Sequence, residues 1–219
     1  MGAKALITGF EPYGGLRLNP SANLAAALDG AEIGGLTVAG RCFPVSFAGL
    51  AERIEAMLAE VKPQLVIALG LYPGESVIRL ERFGVNLADF AITDNAGTQV
   101  RDTPVEPGGP AALAATLPLR AIEGALLGAG IPARPSDSAG TYLCNAVLYR
   151  LLSAVNRRGT PIPCGFIHLP YLPEQVAELL AVAKAGGAAI PQTAIASMDF
   201  AVMERALRLA VATTAAQLS

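Results

Sequence analysis

The chain reads as an α/β protein, a single three-layer α/β/α domain around a mostly parallel central sheet. Three observations point there. Short β-type runs alternate with longer helical patterns along the whole chain, which is the mark of βαβ units. The runs over 64–70 and Cys164–Leu169 are continuously apolar, as strands covered on both faces are. With 219 residues, no repeat, no linker and no low-complexity tract, against about 150 residues per domain, one domain over 1–219 is expected.

The elements follow in order. Residues 5–9 form a strand pattern ending in glycine, and 20–29 a helix with Asn19 at its N-cap and Pro20 at its first position. Leu36–Phe43 is strand-like and leads past Ser46 into an amphipathic helix carried by Leu50, Ile54, Met57, Leu58 and Val61. After the strand at 64–70, the alternation over 76–92 predicts one or two antiparallel or edge strands. Residues 94–109, rich in Gly, Pro, Asp and Thr, predict a long surface loop. A helix over 119–130, ended by glycine, precedes a short strand over 131–135. Leu143, Val147, Leu148, Leu151, Leu152 and Val155 fall at helical spacing and predict a helix over Leu143–Asn156. The strand Cys164–Leu169 comes next. Residues 174–196, rich in Ala and Gly, read as one helix followed by a flexible loop. Val202, Met203, Leu207 and Val211 place a last helix over 198–216.

Composition excludes several function classes. Sixteen Lys and Arg against eighteen Asp and Glu leave no basic footprint for nucleic acid. With 53% hydrophobic and 16% charged residues, the chain is not disordered. Its mean hydropathy of +0.46 owes much to alanine. No stretch reaches the roughly 18 uninterrupted apolar residues of a spanning helix, so no membrane partner is expected. Met1-Gly2-Ala3-Lys4 runs straight into the first strand, without the apolar core of a signal peptide. Three cysteines form an odd, sparse set, which predicts a reducing cytoplasm.

No metal is expected, because the chain has neither a Cys-x-x-Cys pair nor a second histidine. No cofactor is expected either. The stretch from Gly9 to Gly15 lacks the Lys-Ser/Thr of a phosphate loop and the spacing of a dinucleotide fingerprint. Its Phe10 and Tyr13 suit an aromatic-lined pocket instead.

Few residues are left to do chemistry. Imidazole chemistry must use His168, which ends an apolar strand, where open α/β sheets place ligands. Cys144 opens a helix, a location that favours thiolate and lowers a thiol's pKa below about 8.5. Cysteine at a helix start is also often a small buried hydrophobe. Cys42 and Cys164 lie inside strand patterns and read as structural. Glu81 shares a strand face with Val77 and Arg79. It reads either as an exposed or ion-paired carboxylate or as the third group that a Cys/His pair needs to orient its imidazole.

Taken together and in order, these motifs resemble the type I pyroglutamyl peptidase family. They are Leu6-Ile7-Thr8-Gly9-Phe10-Glu11-Pro12-Tyr13-Gly14-Gly15 with Asn19-Pro20-Ser21, Glu81-Arg82 with Asn86 and Asp89, and Asp94-Asn95-Ala96-Gly97. Ser138-Ala139-Gly140-Thr141-Tyr142-Leu143-Cys144-Asn145, Gly165-Phe166-Ile167-His168-Leu169-Pro170-Tyr171-Leu172-Pro173 and Ser197-Met198 complete the set. The resemblance implies an intracellular cysteine peptidase with an α/β/α fold, assembled as a homodimer or homotetramer, acting on peptides with N-terminal pyroglutamate. It implies a triad of Cys144 as nucleophile, His168 as base and acid, and Glu81 as orienter, with a thioester intermediate. The substrate ring would sit in an apolar pocket at Phe10, Tyr13, Leu71, Ile92, Tyr142 and Leu143.

The chain departs from that pattern in places. Leu71 stands where the family typically has Gln, Pro73-Gly74-Glu75 where Gly-Gly-Arg is usual, and Ala91 and Thr93 where Arg and Pro are usual. A cysteine amidase of the same fold taking another small acyl group, and a silent binding protein, are the rival readings.

Overall fold

A computed structural model describes residues 2–159, 161–186 and 195–218. The chain runs β1 (Lys4–Phe10), α1 (Pro20–Leu28), β2 (Glu32–Ile33), β3 (Leu36–Phe43), α2 (Leu50–Val61), β4 (Leu65–Leu71), β5 (Ile78–Glu81) and β6 (Phe83–Val85). It continues through β7 (Ala112–Ala114), α3 (Leu119–Gly128), β8 (Ala133–Ser136), α4 (Leu143–Asn156), β9 (Cys164–Leu169), α5 (Pro173–Ala185) and α6 (Phe200–Ala215).

Seven strands form one sheet in the order β2-β3-β1-β4-β9-β5-β8. The pairs β1/β3, β1/β4, β4/β9 and β5/β8 are parallel, whereas β2/β3 and β5/β9 are antiparallel. Every residue of β4 and β9 is buried, which is why both read as unbroken apolar runs.

Alternation along the strands builds two cores. Ala5, Ile7, Leu65, Ile67, Leu69, Ile167 and Leu169 pack with Leu24 and Leu28 of α1, Ile122 and Leu126 of α3, and Met203 and Leu207 of α6. Leu6, Val66, Ala68 and Phe166 face the other way, against Ile54 and Leu58 of α2 and Val147, Leu148 and Leu151 of α4. The sheet is therefore covered on both faces, and the predicted three layers are present. No helix among the described residues is long and apolar enough to cross a membrane.

The termini of the helices follow local chemistry. The Asn19 side chain accepts the Ser21 N–H at 3.1 Å and caps α1. Asp199 does the same for α6, which starts at Phe200 rather than 198. The loop expected after α5 falls at 187–194, outside the described residues.

The stretch over 76–92 holds two strands in antiparallel pairs, as expected: β5 lies inside the main sheet beside β9, and β6 leaves it to pair with β7. The three-residue β7 and two-residue β2 are too short to show a period. The stretch over 94–109 has neither helix nor strand and is mostly exposed, the surface loop that its composition predicts, but it is pinned at buried points. Asp94 is buried and accepts the N–H groups of Phe47, Ala96 and Thr98. Phe90 and Val105 insert into the α2/α4 core. Asn145 of α4 grips Val85 at both its N–H and its carbonyl, and also the Leu87 carbonyl, while the Tyr149 hydroxyl donates to the Pro110 carbonyl. Composition gave no sign of the Asn145 and Tyr149 anchors, because they sit on a helix distant in sequence.

Candidate active site

The register of three strands gathers the polar groups. In the β4/β9 ladder Gly70 lies opposite His168, and in the β9/β5 ladder His168 lies opposite Arg79. Opposite residues share a face, and side chains two apart along a strand do as well. Gly70, His168, Arg79 and Glu81 thus look out on the face that α4 covers.

Cys144 is the second residue of α4. A Cβ placed on Gly70 would stand 2.7 Å from its Sγ and 2.7 Å from Cζ of Phe166. The missing side chain at 70 is the space that the sulfur occupies, over the strand position beside His168.

His168 is 2% exposed, and its Nδ1 lies 2.8 Å from Oε1 of the wholly buried Glu81. A carboxylate can only accept, so Nδ1–H donates and Nε2 is left as the basic nitrogen. The ring is walled edge-on by Tyr72 at 5.2 Å and by Phe166 at 4.7 Å between centroids. Burial holds the imidazole below its ordinary pKa; the Glu81 bond and charge push it back up, and the Arg79 charge pushes it further down.

Burial pushes the Cys144 thiol up to about 12, and the Glu81 carboxylate adds to the rise. The expectation of a thiol lowered by the helix end is overturned. The sulfur is packed against the α2/α4 core, and losing water costs a thiolate more than the first N–H groups of α4 return. Burial thus favours the neutral thiol and the neutral imidazole.

Glu81 has both partners that its position offered. Its Oε1 accepts from His168 and also from Arg79 Nε at 3.1 Å, while Oε2 is buried without a hydrogen-bond partner. Cys164 is buried and its thiol is pushed up by that burial. Cys42 lies within β3, opposite Gly9, as its strand pattern predicts, but it is exposed rather than structural.

Beside the sulfur lies an apolar slot of about 10 Å³, bounded by Phe10, Tyr13, Leu71, Tyr142, Leu143 and Cys144, with Asn19 and Val45. That volume holds barely one water, so a ring enters only if a wall side chain swings. Tyr13 and Tyr142 are the partly exposed walls, with ring centroids 6.1 Å apart. Tyr142 also lies edge-on to Phe90 and donates its hydroxyl to the Thr93 carbonyl. Ile92 is 49% exposed and is not among the residues bounding the slot. Arg79 is the residue whose importance sequence reasoning missed; its only signal was the face it shares with Glu81.

Known proteins resemble this chain throughout. The family described as pyroglutamyl peptidase matches residues 3–217. Pyrrolidone-carboxylate peptidase from Pyrococcus furiosus is 42% identical over 208 residues, covering 95% of this chain and 98% of that one. The protein of that name from Cupriavidus pinatubonensis is 41% identical over 212 residues, 96% and 92% of the two chains. A solved structure of pyrrolidone carboxyl peptidase from Pyrococcus furiosus matches with a TM-score of 0.91 at 41% identity, over 99% of this chain and all (100%) of that one. Fold and relatives together make this a cysteine peptidase of the omega-peptidase type. Within that class, the chain belongs to the pyroglutamyl peptidase family.

Proposed function

We propose that the chain removes N-terminal pyroglutamate from peptides through a Cys144–His168–Glu81 triad and a thioester acyl-enzyme. The observation that carries this reading is the buried 2.8 Å contact between His168 and Glu81, on the sheet face where the Cys144 sulfur covers Gly70.

Burial favours the neutral form of both groups, so the nucleophile is made on demand. His168 Nε2 takes the thiol proton as Sγ bonds to the pyroglutamyl carbonyl carbon, and Glu81 stabilises the imidazolium. The carbonyl oxygen becomes an oxyanion facing the first N–H groups of α4, which have no partner within the helix. Collapse breaks the C–N bond, and the leaving amine takes the proton from His168. Water, deprotonated by His168, then cleaves the thioester, releasing pyroglutamate and restoring the thiol. No step calls on a cofactor.

Phe10, Tyr13, Leu71, Tyr142 and Leu143 would enclose the lactam, with Ile92 closing over it from the exposed side. The chain would act as one domain, in the cytoplasm, where its three free cysteines stay reduced. The chain would assemble as a homodimer or homotetramer, read as a multiple of 22.4 kDa by light scattering.

Hydrolysis of pyroglutamyl and other N-acyl chromogenic amides by the wild type, Cys144→Ser and Glu81→Gln tests the reading. The wild type should prefer pyroglutamyl, Cys144→Ser should lose turnover, and Glu81→Gln should lose about 10²-fold or more in kcat with little change in KM. Preference for another acyl group would make the chain an amidase of this fold. No turnover and no labelling by a pyroglutamyl aldehyde would leave a binding protein.

A further inference from the structure

Arg79 is wired into the site more fully than an ion-paired surface arginine. Its Nε donates to Glu81 Oε1 at 3.1 Å and its Nη1 to Glu75 Oε2 at 3.3 Å. Its Nη2 donates to Ser136 Oγ at 2.6 Å and to the Ser138 carbonyl at 2.7 Å. The guanidinium also lies 3.9 Å over the ring of Tyr72, the same ring that stands edge-on to His168. Every nitrogen of the fork has an acceptor, and the side chain is only 12% exposed.

Two of these bonds have mechanical consequences. Both donors to Glu81 meet on Oε1, and Oε2 has none. The rotation of the carboxylate about its last bond is therefore set by Arg79 and His168 between them. Without Arg79, nothing but His168 itself would hold the group that is meant to orient His168. The bond to Ser138 acts elsewhere. Ser138 begins the segment that passes through Gly140, at φ 76°, to Tyr142, the N-cap of α4 and the second residue before Cys144. Glu75, standing where the family pattern has arginine, supplies the counter-charge and is itself held by Arg134 at 3.0 Å.

We infer that Arg79 is a positioning residue for catalysis: one planar fork ties the orienting carboxylate of β5 to the segment that delivers the nucleophile. The inference rests on the triad reading above. Lysine does not replace this fork, because a single ammonium on a flexible stem cannot fix a plane and reach Glu81, Glu75 and Ser138 together.

Kinetics of Arg79→Gln and Arg79→Lys, each made in the wild type and in the Glu81→Gln background, test it. Arg79→Gln should lower kcat by about tenfold or more, since small misplacements of reacting groups cost that much, and KM should stay within about twofold. Arg79→Lys should recover only part of the loss. In the Glu81→Gln background, Arg79→Gln should change kcat by less than about threefold, because it acts largely through Glu81.

The pH profile gives a separate readout. The groups around His168 are Glu81 and Arg79 from β5, Glu75 ahead of it, Tyr72 after β4 and Cys144 from α4. Arg79→Gln removes the cation that opposes protonation of His168, so the acid limb of kcat/KM should move to higher pH, while Arg79→Lys leaves it in place.

Equal losses in both backgrounds would mark Arg79 as merely structural and overturn the inference, as would unchanged kcat. If Arg79→Gln does not fold, Arg79→Lys decides: a folded lysine variant with wild-type kcat overturns it too. The two readings fail differently. A slow Glu81→Gln beside a fast Arg79→Gln sinks this inference alone, whereas a Glu81→Gln enzyme at wild-type kcat removes the orienting carboxylate and the inference with it.

Discussion

Adding one methyl at Gly70 should silence the enzyme more than it destabilises it. A Cβ there would stand 2.7 Å from Cys144 Sγ, 2.7 Å from Phe166 Cζ and 3.0 Å from Phe166 Cε1. Comfortable contacts begin near about 3.5 Å, so the sulfur or the ring must move by roughly 1 Å. Overpacking of this kind costs about 1–3 kcal/mol, and in a chain of this size each kcal/mol lowers Tm by roughly 2–4 °C. A displacement of about 1 Å at the proposed nucleophile should cost roughly 10²-fold in rate, which corresponds to about 2.7 kcal/mol of barrier.

Gly165→Ala is the matched control. That Cβ would meet Leu117 at 2.6 Å, but on the opposite face of the sheet. It should cost similar stability and leave the rate alone. Thermal melts by circular dichroism and kcat/KM on a pyroglutamyl amide separate the two. If Gly70→Ala is destabilised yet keeps kcat/KM within about threefold of Gly165→Ala, the chemistry does not occur at the Cys144 sulfur.

Other outcomes follow from the same geometry. Leu71→Gln, placing an amide in the wall of the slot, should raise the pyroglutamyl-over-prolyl ratio by roughly tenfold, the worth of about 1.4 kcal/mol from one new lactam hydrogen bond; an unchanged ratio in a folded variant would mean that position 71 does not read the lactam. Iodoacetamide followed by peptide mapping should find exposed Cys42 modified first, Cys144 more slowly and buried Cys164 only on unfolding, whereas a pyroglutamyl chloromethyl ketone should select Cys144. His168 is held neutral by burial, so the folded state resists the proton that the unfolded chain accepts below about 6.5. Its contribution is intact above that pH and is lost as pH falls, at up to about 1.4 kcal/mol per unit; urea melts between pH 7 and 5 would show it, and stability rising on acidification would refute it. The acid limb of kcat/KM should lie below that same value, and Glu81→Gln should move it lower still.

The sequence was most legible where one residue type had one use. A single histidine at the end of an apolar strand and a cysteine at the mouth of a helix could be named without a fold, and the periods of α2, α4 and β9 set their bounds. What stayed hidden depended on register. No spacing along the chain reveals that His168 lies across from Arg79 on one side and Gly70 on the other. The state of the thiol was misread for a related reason: a helix start is visible locally, but the Phe166 ring and the sheet face that dehydrate the sulfur arrive from elsewhere. Asn145 and Tyr149 read as ordinary helix positions, yet they anchor Val85, Leu87 and Pro110, on either side of the 94–109 loop.

The position of β9 also sets when the enzyme becomes an enzyme. β4 and β5 follow one another in sequence, but in the sheet they are held apart by β9, the last strand among the described residues. Until β9 arrives, the sheet is two fragments, β2-β3-β1-β4 and β5-β8, with Glu81 and Gly70 on different pieces. Pairing Leu71 with Leu169 closes a loop of nearly the whole intervening chain, the kind of long-range contact that makes folding slow. A nascent chain that stops short of residue 164 carries the thiol and the carboxylate but has no bridge between them. Peptidase activity should therefore return only in the closing phase of refolding, after helical structure has largely recovered, and the cell would be spared a half-made chain that cuts peptides.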